Sequence, residues 1–357
     1  MASTRRLRGA VIGLGNVAVQ GHLPGWCVRA DAVLVAATDA NPARRAECQA
    51  RLPGASWHDS VESLLARDDL DFVDICTPPS SHGALIDAAL RRSLHVLCEK
   101  PLVGSLAELE SLARLAEGRG RALHTVHNWH HAPIVAATDA LVREGRIGRV
   151  REVTWRTRRT QPALAAGGDG WRVDPATAGG GVLTDHGWHV SYVIPHWVGA
   201  RPTAVGARLE TRRHHRFAVE DTATVRLHFP EALADVELTW AADARENHAR
   251  VLGTAGEIEL LDDTLVVTGP GGRERRPCPP PLSAGSQHPD WFAPVVERFV
   301  ASVRAAERGA WQPGNLDEAA LCIAIESGAR ESSRHGGATL ALPAPIGASA
   351  ARVGSAR

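Results

Sequence analysis

The chain has 357 residues, of which 44% are hydrophobic and 22% charged, with 40 basic and 40 acidic side chains. This length suits two domains better than one core. A formal net charge of zero gives no electrostatic reason to expect nucleic acid or an anionic membrane as a partner, and no apolar run approaches the roughly 20 residues that span a bilayer.

The six cysteines are scattered without CxxC spacing, so the sequence predicts neither a zinc site nor a disulfide framework. The basic amino terminus leads into a short strand-like run rather than into the apolar core of a signal peptide. We therefore expect a cytoplasmic protein without a bound metal.

Short apolar runs alternate with helical periodicity in residues 1–126. The expected strands are RGAVIG, AVLVAAT, DFVDICT, LHVLCEK and ALHTVH, and the expected helices between them are NPARRAECQARL, SVESLLARD, SHGALIDAALRR and SLAELESLARLAEG. This alternation predicts an α/β domain, a doubly wound parallel sheet with helices on both faces.

The pattern changes near Gly148, after which seven strand candidates follow one another: RVREVTWRTRR, TAVGARLETRR, DTATVRLHF, ADVELTWAAD, HARVLGT, GEIELLD and TLVVTG. They predict an α+β domain over 127–342, with a large open, mainly antiparallel sheet. Residues 269–289 are rich in Pro and Gly and predict a loop. Helices are expected near 290–307 and 316–334, and a disordered tail over 343–357.

The segment AVIGLGNVAVQGH places Gly13 and Gly15 directly after the first strand, followed by Asn16 and Val17. Glycine at these positions permits a tight turn and a close approach of the backbone to a pyrophosphate at the next helix N-terminus. Within a βαβ unit this pattern predicts a dinucleotide site.

The second strand ends at Asp39, an acid that suits a ribose diol and repels a 2′-phosphate. The sequence therefore favours NAD as the cofactor. Arg44 and Arg45 follow closely and keep NADP as the alternative.

A second candidate site is the segment GGGVLTDHGWH, residues 179–189. If a helix starts near Val182, Asp185 and His189 lie one turn apart on one face, with Tyr192 next along it. We expect the three glycines to let the backbone pass close to a ligand.

Four further motifs stand in a familiar order: TPPSSH (77–82), CEKP (98–101), WRVD (171–174) and AGGGVLTDHGWH (178–189). With the glycine motif, they make the chain resemble the Gfo/Idh/MocA oxidoreductases over about residues 7–340. The resemblance implies a Rossmann fold followed by an open-sheet domain that commonly packs against another subunit's sheet. It implies a homodimer or homotetramer through the C-terminal sheet, and an uncovered apolar face there also favours assembly.

The resemblance also implies roles for individual residues. Lys100 is expected beside the nicotinamide and the substrate hydroxyl, with Asp185 and His189 as the substrate-binding and proton-transfer pair. The cofactor-binding residues expected are Gly13, Gly15, Asn16, Val17, Asp39, Thr77, Pro78, His82, Glu99, Lys100, Trp171 and Arg172. The substrate-binding residues expected are Asn128, Trp129, His130, Asp185, Trp188, His189 and Tyr192.

The sequence departs from the family pattern at two places. Trp129, His130 and His131 stand where relatives often carry an arginine or other residues, and Tyr192 stands where several hold a second aspartate. Both departures concern the substrate more than the chemistry.

Oxidation of an alcohol carbon removes a hydride and a proton, and NAD accepts only the hydride. A histidine can take the proton near neutral pH, and a lysine can stabilise the developing alkoxide. Lys100 follows a parallel strand at its carboxyl end, where such sheets bind ligands. These residues predict an NAD-dependent dehydrogenase, and the resemblance implies that it acts on a secondary hydroxyl or ketone of a sugar, sugar derivative or cyclitol. The alternatives are an NAD-retaining redox glycosidase of the same fold and a non-catalytic dinucleotide or sugar sensor.

Overall fold

The structure is a computed structural model that describes residues 5–164, 170–285 and 287–344. Contacts divide the chain into two units. The first comprises the residues up to Asn128 together with Gly285–Asp317, and the second comprises Trp129–Ala284 with the residues from Glu318 onward. The predicted boundary at 126/127 differs from this division chiefly over 285–317. Most of the predicted tail, from 345 onward, lies outside the described residues.

In the part of the first unit that the structure describes, six parallel strands lie in the order β3-β2-β1-β4-β5-β6, which is the doubly wound order expected of a dinucleotide-binding sheet. The strands are β1 (Leu7–Ile12), β2 (Ala32–Thr38), β3 (Ser56–Trp57), β4 (Phe72–Ile75), β5 (His95–Cys98) and β6 (Leu123–Thr125). The prediction of a parallel sheet is confirmed. Strand β3 is not predicted, because two residues are too short to show a pattern.

The helices of the first unit are α1 (Leu23–Cys27), α2 (Arg45–Arg51), α3 (Val61–Leu65), α4 (His82–Arg91), α5 (Leu106–Arg119) and α9 (Pro289–Glu307). Helix α5 shows how local sequence sets such limits. The Ser105 side chain caps it by accepting the Glu108 N–H, and Gly120 ends it in the left-handed conformation at φ 61°.

Helix α9 belongs to the first unit because of the side chains on its apolar face. Phe299 packs edge-on against Phe72 of β4 and Trp26 of α1, and these two rings stack on each other with centroids 4.6 Å apart. Val296 and Val300 lie in the same buried core. This long-range packing assigns α9 to the first unit, although the chain reaches it only after the second sheet.

The described residues of the second unit form nine strands in the order β14-β13-β12-β11-β7-β10-β9-β8-β15. All neighbours are antiparallel except β7 and β10. The strands are β7 (Val150–Arg158), β8 (Ala204–Glu210), β9 (Thr222–His228), β10 (Leu233–Thr239), β11 (Glu246–Gly253), β12 (Glu257–Leu261), β13 (Thr264–Gly269), β14 (Gly272–Pro277) and β15 (Leu340–Ala341). The predicted mainly antiparallel sheet is confirmed.

The prediction of a loop over all of 269–289 is wrong, because β14 lies inside this segment. Strand β14 is an edge strand that pairs with β13, from Gly272 opposite Gly269 to Pro277 opposite Thr264. Its side chains are largely exposed and charged, so the strand has no apolar alternation to reveal it.

The helices of the second unit are α6 (Pro133–Arg143), α7 (Pro175–Ala178), α8 (Trp188–Val198) and α10 (Leu316–Arg334). The limits of α10 match the predicted 316–334. Among the helices that the structure describes in either unit, none has the length and apolar character of a membrane span.

The outward side chains of the second sheet are charged rather than apolar. Arg226 of β9 pairs with Asp235 of β10 at 2.7 Å, and Arg158 of β7 pairs with Glu246 of β11 at 2.9 Å. In the described part of this unit, the large apolar side chains that are exposed are Leu233 and Leu261. The expectation of an uncovered apolar face is therefore wrong, and assembly through this sheet stays a prediction.

Candidate active site

The residues predicted to bind a dinucleotide follow the carboxyl ends of neighbouring strands in the first unit. Gly13 follows β1, Asp39 follows β2, Thr77 follows β4, and Lys100 follows β5. Because the strands are parallel, these ends lie along one edge of the sheet. Ligands of doubly wound sheets bind at this edge, where the strand order reverses.

The turn after β1 fits a pyrophosphate. Gly13 has φ 93°, and a β-carbon there would lie 2.9 Å from the carbonyl oxygen of Cys76. At Gly15 a β-carbon would meet no described atom within 4 Å, so the backbone borders open space. Helical residues begin at Asn16, continue through a π turn (Ala18–His22) and lead into α1. A phosphate in that space would face the backbone N–H groups of a helix start.

Two backbone N–H groups hold the Asp39 carboxylate at the end of β2. Leu14 donates to Oδ2 at 2.6 Å and Asn41 donates to Oδ1 at 2.7 Å. Each carboxylate oxygen retains acceptor capacity for a second donor. The residue therefore fits the ribose diol of a dinucleotide, as the sequence predicts.

The loop after β4 contains Thr77, Pro78 and His82. The Ser81 hydroxyl donates to Thr77 Oγ1 at 2.7 Å, which fixes the loop. The His82 side chain has no exposed surface, and its ring nitrogens lie within hydrogen-bond distance of the Thr77 and Pro101 carbonyl oxygens. The His82 side chain therefore supports the loop from behind, and contact of this residue with the cofactor stays a prediction.

Lys100 directly follows Glu99 after β5, and its peptide bond to Pro101 is cis. Its backbone N–H donates to Glu99 Oε2 at 2.9 Å. Glu99 is buried, and its other oxygen lies 2.9 Å from His22 Nε2. The Glu99 side chain therefore points into the protein, and cofactor binding by Glu99 stays a prediction.

The sequence did not predict the buried cluster behind Lys100. His22 Nδ1 lies 3.0 Å from Asp74 Oδ2, and the Trp26 indole donates to the same oxygen at 2.7 Å. Burial alone would lower the pKa of His22, but Asp74 and Cys76 raise it well above its usual value. Burial raises the pKa of Glu99, but the hydrogen bond and charge of His22 bring it below its usual value. Apart from Glu99, which belongs to the CEKP motif, no motif marks these residues, because the topology brings together positions far apart in sequence.

In the second unit, the predicted helix start at Val182 is confirmed. It continues as a π turn (Leu183–Gly187) into α8, and this turn contains Asp185. π turns are rare in proteins, and those that occur often lie at functional sites. Asp185 Oδ2 lies 3.7 Å from His186 Nε2.

The glycine triplet before this helix has structural reasons that differ from the predicted approach to a ligand. Gly179 ends α7 in the left-handed conformation, at φ 81°. A β-carbon at Gly180 would collide with the Arg330 guanidinium, and one at Gly181 would collide with the Glu220 carbonyl oxygen. The glycines therefore let the chain pass close to its own residues.

His189 is held by two aromatic residues. Its Nδ1 lies 2.9 Å from the Tyr192 hydroxyl, which also accepts the Trp129 N–H at 3.0 Å. The Trp129 ring stacks on the imidazole with centroids 4.5 Å apart and planes 3° from parallel. The i,i+3 spacing of His189 and Tyr192 is the sequence feature that could have revealed this contact.

Two residues predicted to bind substrate are almost fully buried, and their contact with substrate stays a prediction. The Tyr192 side chain is 1% exposed and its hydroxyl contacts His189, so it orients the histidine. Trp188 is 2% exposed, which leaves almost no ring surface for a sugar.

Four other residues predicted to bind cofactor or substrate lie among the described residues. Asn128, in the first unit, has a buried Oδ1 with no hydrogen-bond partner among the described residues. In the second unit, His130 Nε2 lies 3.2 Å from Glu318 Oε1. The Arg172 guanidinium lies 4.3 Å from the centre of the Trp171 ring, in the turn Trp171–Val173.

Both parts of the chain match family descriptions. Residues 7–127 match the one described as "Oxidoreductase family, NAD-binding Rossmann fold", and residues 135–259 match the "GFO/IDH/MocA C-terminal domain". The dTDP-3,4-didehydro-2,6-dideoxy-alpha-D-glucose 3-reductase of Streptomyces antibioticus is 32% identical over 71% of this chain and 75% of its own length. The D-apiose dehydrogenase of Paraburkholderia graminis is 28% identical over 86% of this chain and 80% of its own.

The fold also matches a solved structure, the aldose-aldose oxidoreductase from Caulobacter crescentus complexed with glycerol. It is 24% identical, with a TM-score of 0.80 over 95% of this chain and 100% of that one. The matched domains, their order along the chain and the strand order of the first sheet agree with one another. The chain therefore belongs to the Gfo/Idh/MocA family of NAD-dependent oxidoreductases.

Proposed function

We propose that this protein is a dehydrogenase that transfers a hydride between NAD and a secondary hydroxyl or ketone of a sugar, sugar derivative or cyclitol. The names of the two relatives above, a reductase of a dideoxyglucose nucleotide and a dehydrogenase of D-apiose, describe redox enzymes of sugars. Proton handling is assigned to Lys100 and His189.

The observation that carries the proposal concerns the use of lysine in this sequence. Lys100 is the only lysine of the chain, and every other member of the Lys+Arg total is an arginine. Arginine stays protonated in proteins, whereas a lysine ammonium can lose its proton when its surroundings change. A sequence that uses arginine elsewhere keeps lysine at the carboxyl end of β5, where a doubly wound sheet binds its ligand. This choice supports a role in proton transfer.

NAD supplies the hydride acceptor when it is bound. Gly13, Gly15 and the helix start at Asn16 would hold its pyrophosphate, and Asp39 would hold a ribose. The Lys100 ammonium is proposed to stabilise the negative charge that develops on the substrate oxygen, which acts mainly in the transition state.

The hydroxyl proton is proposed to pass through Lys100, which releases one proton as it takes up another, to His189 at Nε2. For this, Nδ1 must carry the other ring hydrogen and donate it to the Tyr192 oxygen. That oxygen has two lone pairs, so it can accept from both Trp129 and His189. Asp185, four residues earlier, is proposed to bind a second substrate hydroxyl.

An assay separates this proposal from its rivals. The protein with NAD would be incubated with a panel of polyols, cyclitols and hexoses, and NADH absorbance followed. Net NADH formation supports the dehydrogenase. Release of an aglycone from a glycoside at constant absorbance indicates the redox glycosidase, and binding without either change indicates a sensor.

Asp39 is predicted to make NAD the preferred dinucleotide, because its fixed carboxylate repels a 2′-phosphate. We expect NAD to bind at least about tenfold more tightly than NADP, a difference of about 1.4 kcal/mol, in calorimetric titrations. Asp39→Asn should narrow this ratio, and Glu47→Gln on the neighbouring helix α2 should leave it unchanged. Tighter binding of NADP, reversed by Arg44→Ala, would contradict this reading of Asp39.

The chain is predicted to form a homodimer or homotetramer through the second sheet. Because the outward face is charged, Arg226→Glu should weaken assembly by replacing the Asp235 ion pair with a like-charge contact. Arg91→Glu, which changes an equally exposed pair in α4, is the control. Light scattering at micromolar concentration is the measurement, and a monomeric parent protein would refute the prediction.

A further inference from the structure

Two buried histidines of the first unit contact the residues on either side of Lys100. His22 contacts the side chain of Glu99, which precedes the lysine. His82 contacts the backbone carbonyl of Pro101, which follows it. Neither role follows from a motif or from the proposed chemistry.

His22 connects the ends of strands β4 and β5. Its Nδ1 lies 3.0 Å from Asp74 Oδ2, and its Nε2 lies 2.9 Å from Glu99 Oε1. Its ring stacks on Phe292 of α9 with centroids 3.9 Å apart. A neutral imidazole can donate only one hydrogen bond, so two carboxylate partners favour the imidazolium. His22 is thus a buried cation between two buried acids.

Glu99 transmits this restraint to the lysine. One carboxylate oxygen contacts His22, and the other accepts the backbone N–H of Lys100 at 2.9 Å. The lysine backbone is therefore tied to His22 through a single side chain. A buried carboxylate that lost its cationic partner would be costly, so this geometry is strongly favoured.

His82 restrains the other side of the lysine. Its Nδ1 lies 2.7 Å from the Pro101 oxygen, and its Nε2 lies 2.8 Å from the Thr77 oxygen. The ring therefore joins the loop after β4 to the turn after β5. Burial lowers the pKa of His82, so the ring is neutral and donates a single hydrogen bond. We assign that donor to Nδ1, whose contact with the Pro101 oxygen is the shorter of the two.

We infer that His22 and His82 are positioning residues that fix the backbone on both sides of Lys100 and thereby set the location of its ammonium group. The inference rests on the proposed role of Lys100 in hydride transfer. Both rings use their two nitrogens on protein atoms of the first unit, so they act through the lysine. A misplacement of about 1 Å at reacting groups costs about 10²-fold in rate, so the loss should appear in kcat.

Paired amide substitutions separate positioning from simple packing. A glutamine amide reaches the position of the Nε2 of histidine, and an asparagine amide reaches that of Nδ1. His22→Gln keeps a donor for Glu99, whereas His22→Asn keeps one only for Asp74. At position 82 the order reverses: His82→Asn keeps the donor for Pro101, whereas His82→Gln places its amide toward Thr77 and leaves the Pro101 oxygen without a donor.

The inference predicts opposite effects of the two amides on kcat at the two positions, measured with the substrate found in the NADH panel. His22→Asn and His82→Gln should lose about 10²-fold in kcat with little change in KM, whereas His22→Gln and His82→Asn should recover most of it. If the histidines serve only packing, the loss of kcat in each variant should instead be proportional to its fall in Tm, for asparagine and glutamine alike. Equal kcat values for the two amides at both positions would overturn the inference.

The control is His95→Gln. His95 is another buried histidine, at the opposite end of β5, where its Nδ1 accepts the Ala122 N–H at 2.9 Å. This variant should lower Tm without a comparable loss in kcat. Lys100→Ala separates the two proposals. If this variant retains full turnover, the proposed function fails. If it is inactive while His22→Asn and His82→Gln stay active, only the positioning inference fails.

The single lysine allows a readout without turnover. Protein made with lysine that carries ¹³C only at Cε should give one side-chain NMR signal, recorded with NAD alone. His22→Asn and His82→Gln should shift this signal, and His95→Gln should not. If the His22 variants do not fold, Glu99→Gln tests the same link, because it keeps an acceptor for the Lys100 N–H but removes the charge facing His22. An unchanged signal and kcat in a folded Glu99→Gln protein would overturn the role of His22.

Discussion

Replacing Lys100 with alanine is expected to lower turnover by several orders of magnitude. The substitution removes the cation that we propose stabilises negative charge on the substrate oxygen, an interaction felt mainly in the transition state. It also removes the only lysine of the chain, so no other ε-amine can substitute for it. The measurement is steady-state NADH formation, with kcat and KM determined separately.

Lys100→Arg shows which property of the lysine matters. Arginine keeps the charge but does not release a proton in proteins, so a proton relay predicts a variant that stays severely impaired. NAD affinity, measured by titration, should change far less than turnover in both variants. Near-normal turnover of Lys100→Ala would contradict the assignment.

His189→Ala is expected to lose about 10²–10⁴-fold in turnover, the usual range for a general base. NAD affinity should change little, because the dinucleotide is assigned to the first unit. The control is His335→Ala, which removes an exposed histidine paired with Glu331 at the end of α10. This variant should keep the parent kcat.

The two losses should not add in the double variant if Lys100 and His189 serve one proton transfer. Asp185→Asn should weaken substrate binding as well as turnover. If His189→Ala keeps near-normal turnover while Lys100→Ala is inactive, lysine alone relays the proton and His189 only binds substrate.

The fold was predictable where the pattern of apolar and polar residues in the sequence indicates which side chains are buried. Strands β1, β2, β4 and β5 are almost continuously buried, and such strands appear in sequence as apolar runs. Strand β14 was not predictable, because its charged residues pair through the backbone at a sheet edge. The assignment of α9 to the first unit depends on long-range contacts of Phe292 and Phe299, which sequence order does not indicate.

The candidate site was predictable where a motif requires a particular residue. Gly13, Lys100 and the helix that contains Asp185 and His189 lie on the elements that the sequence indicates. The side chains that these residues contact in the fold were not predictable from a motif.

The partnership of His22 with Glu99 joins positions 77 residues apart. The inward direction of the His82 side chain depends on the fold rather than on its motif. The glycine triplet was recognised as unusual, but the chain segment that requires it, at Glu220, is distant in sequence.

Transfer of deuterium tests the central claim, hydride transfer from a secondary alcohol carbon to NAD, most directly. A substrate from the panel, deuterated at the carbon that bears the reacting hydroxyl, would be incubated with the protein and NAD, and the NADH analysed by mass spectrometry. The account predicts NADH that carries one deuterium and accumulates with the ketone. NADH without deuterium, or a deuterium that returns to the sugar as a glycosidic bond is cleaved, would contradict it.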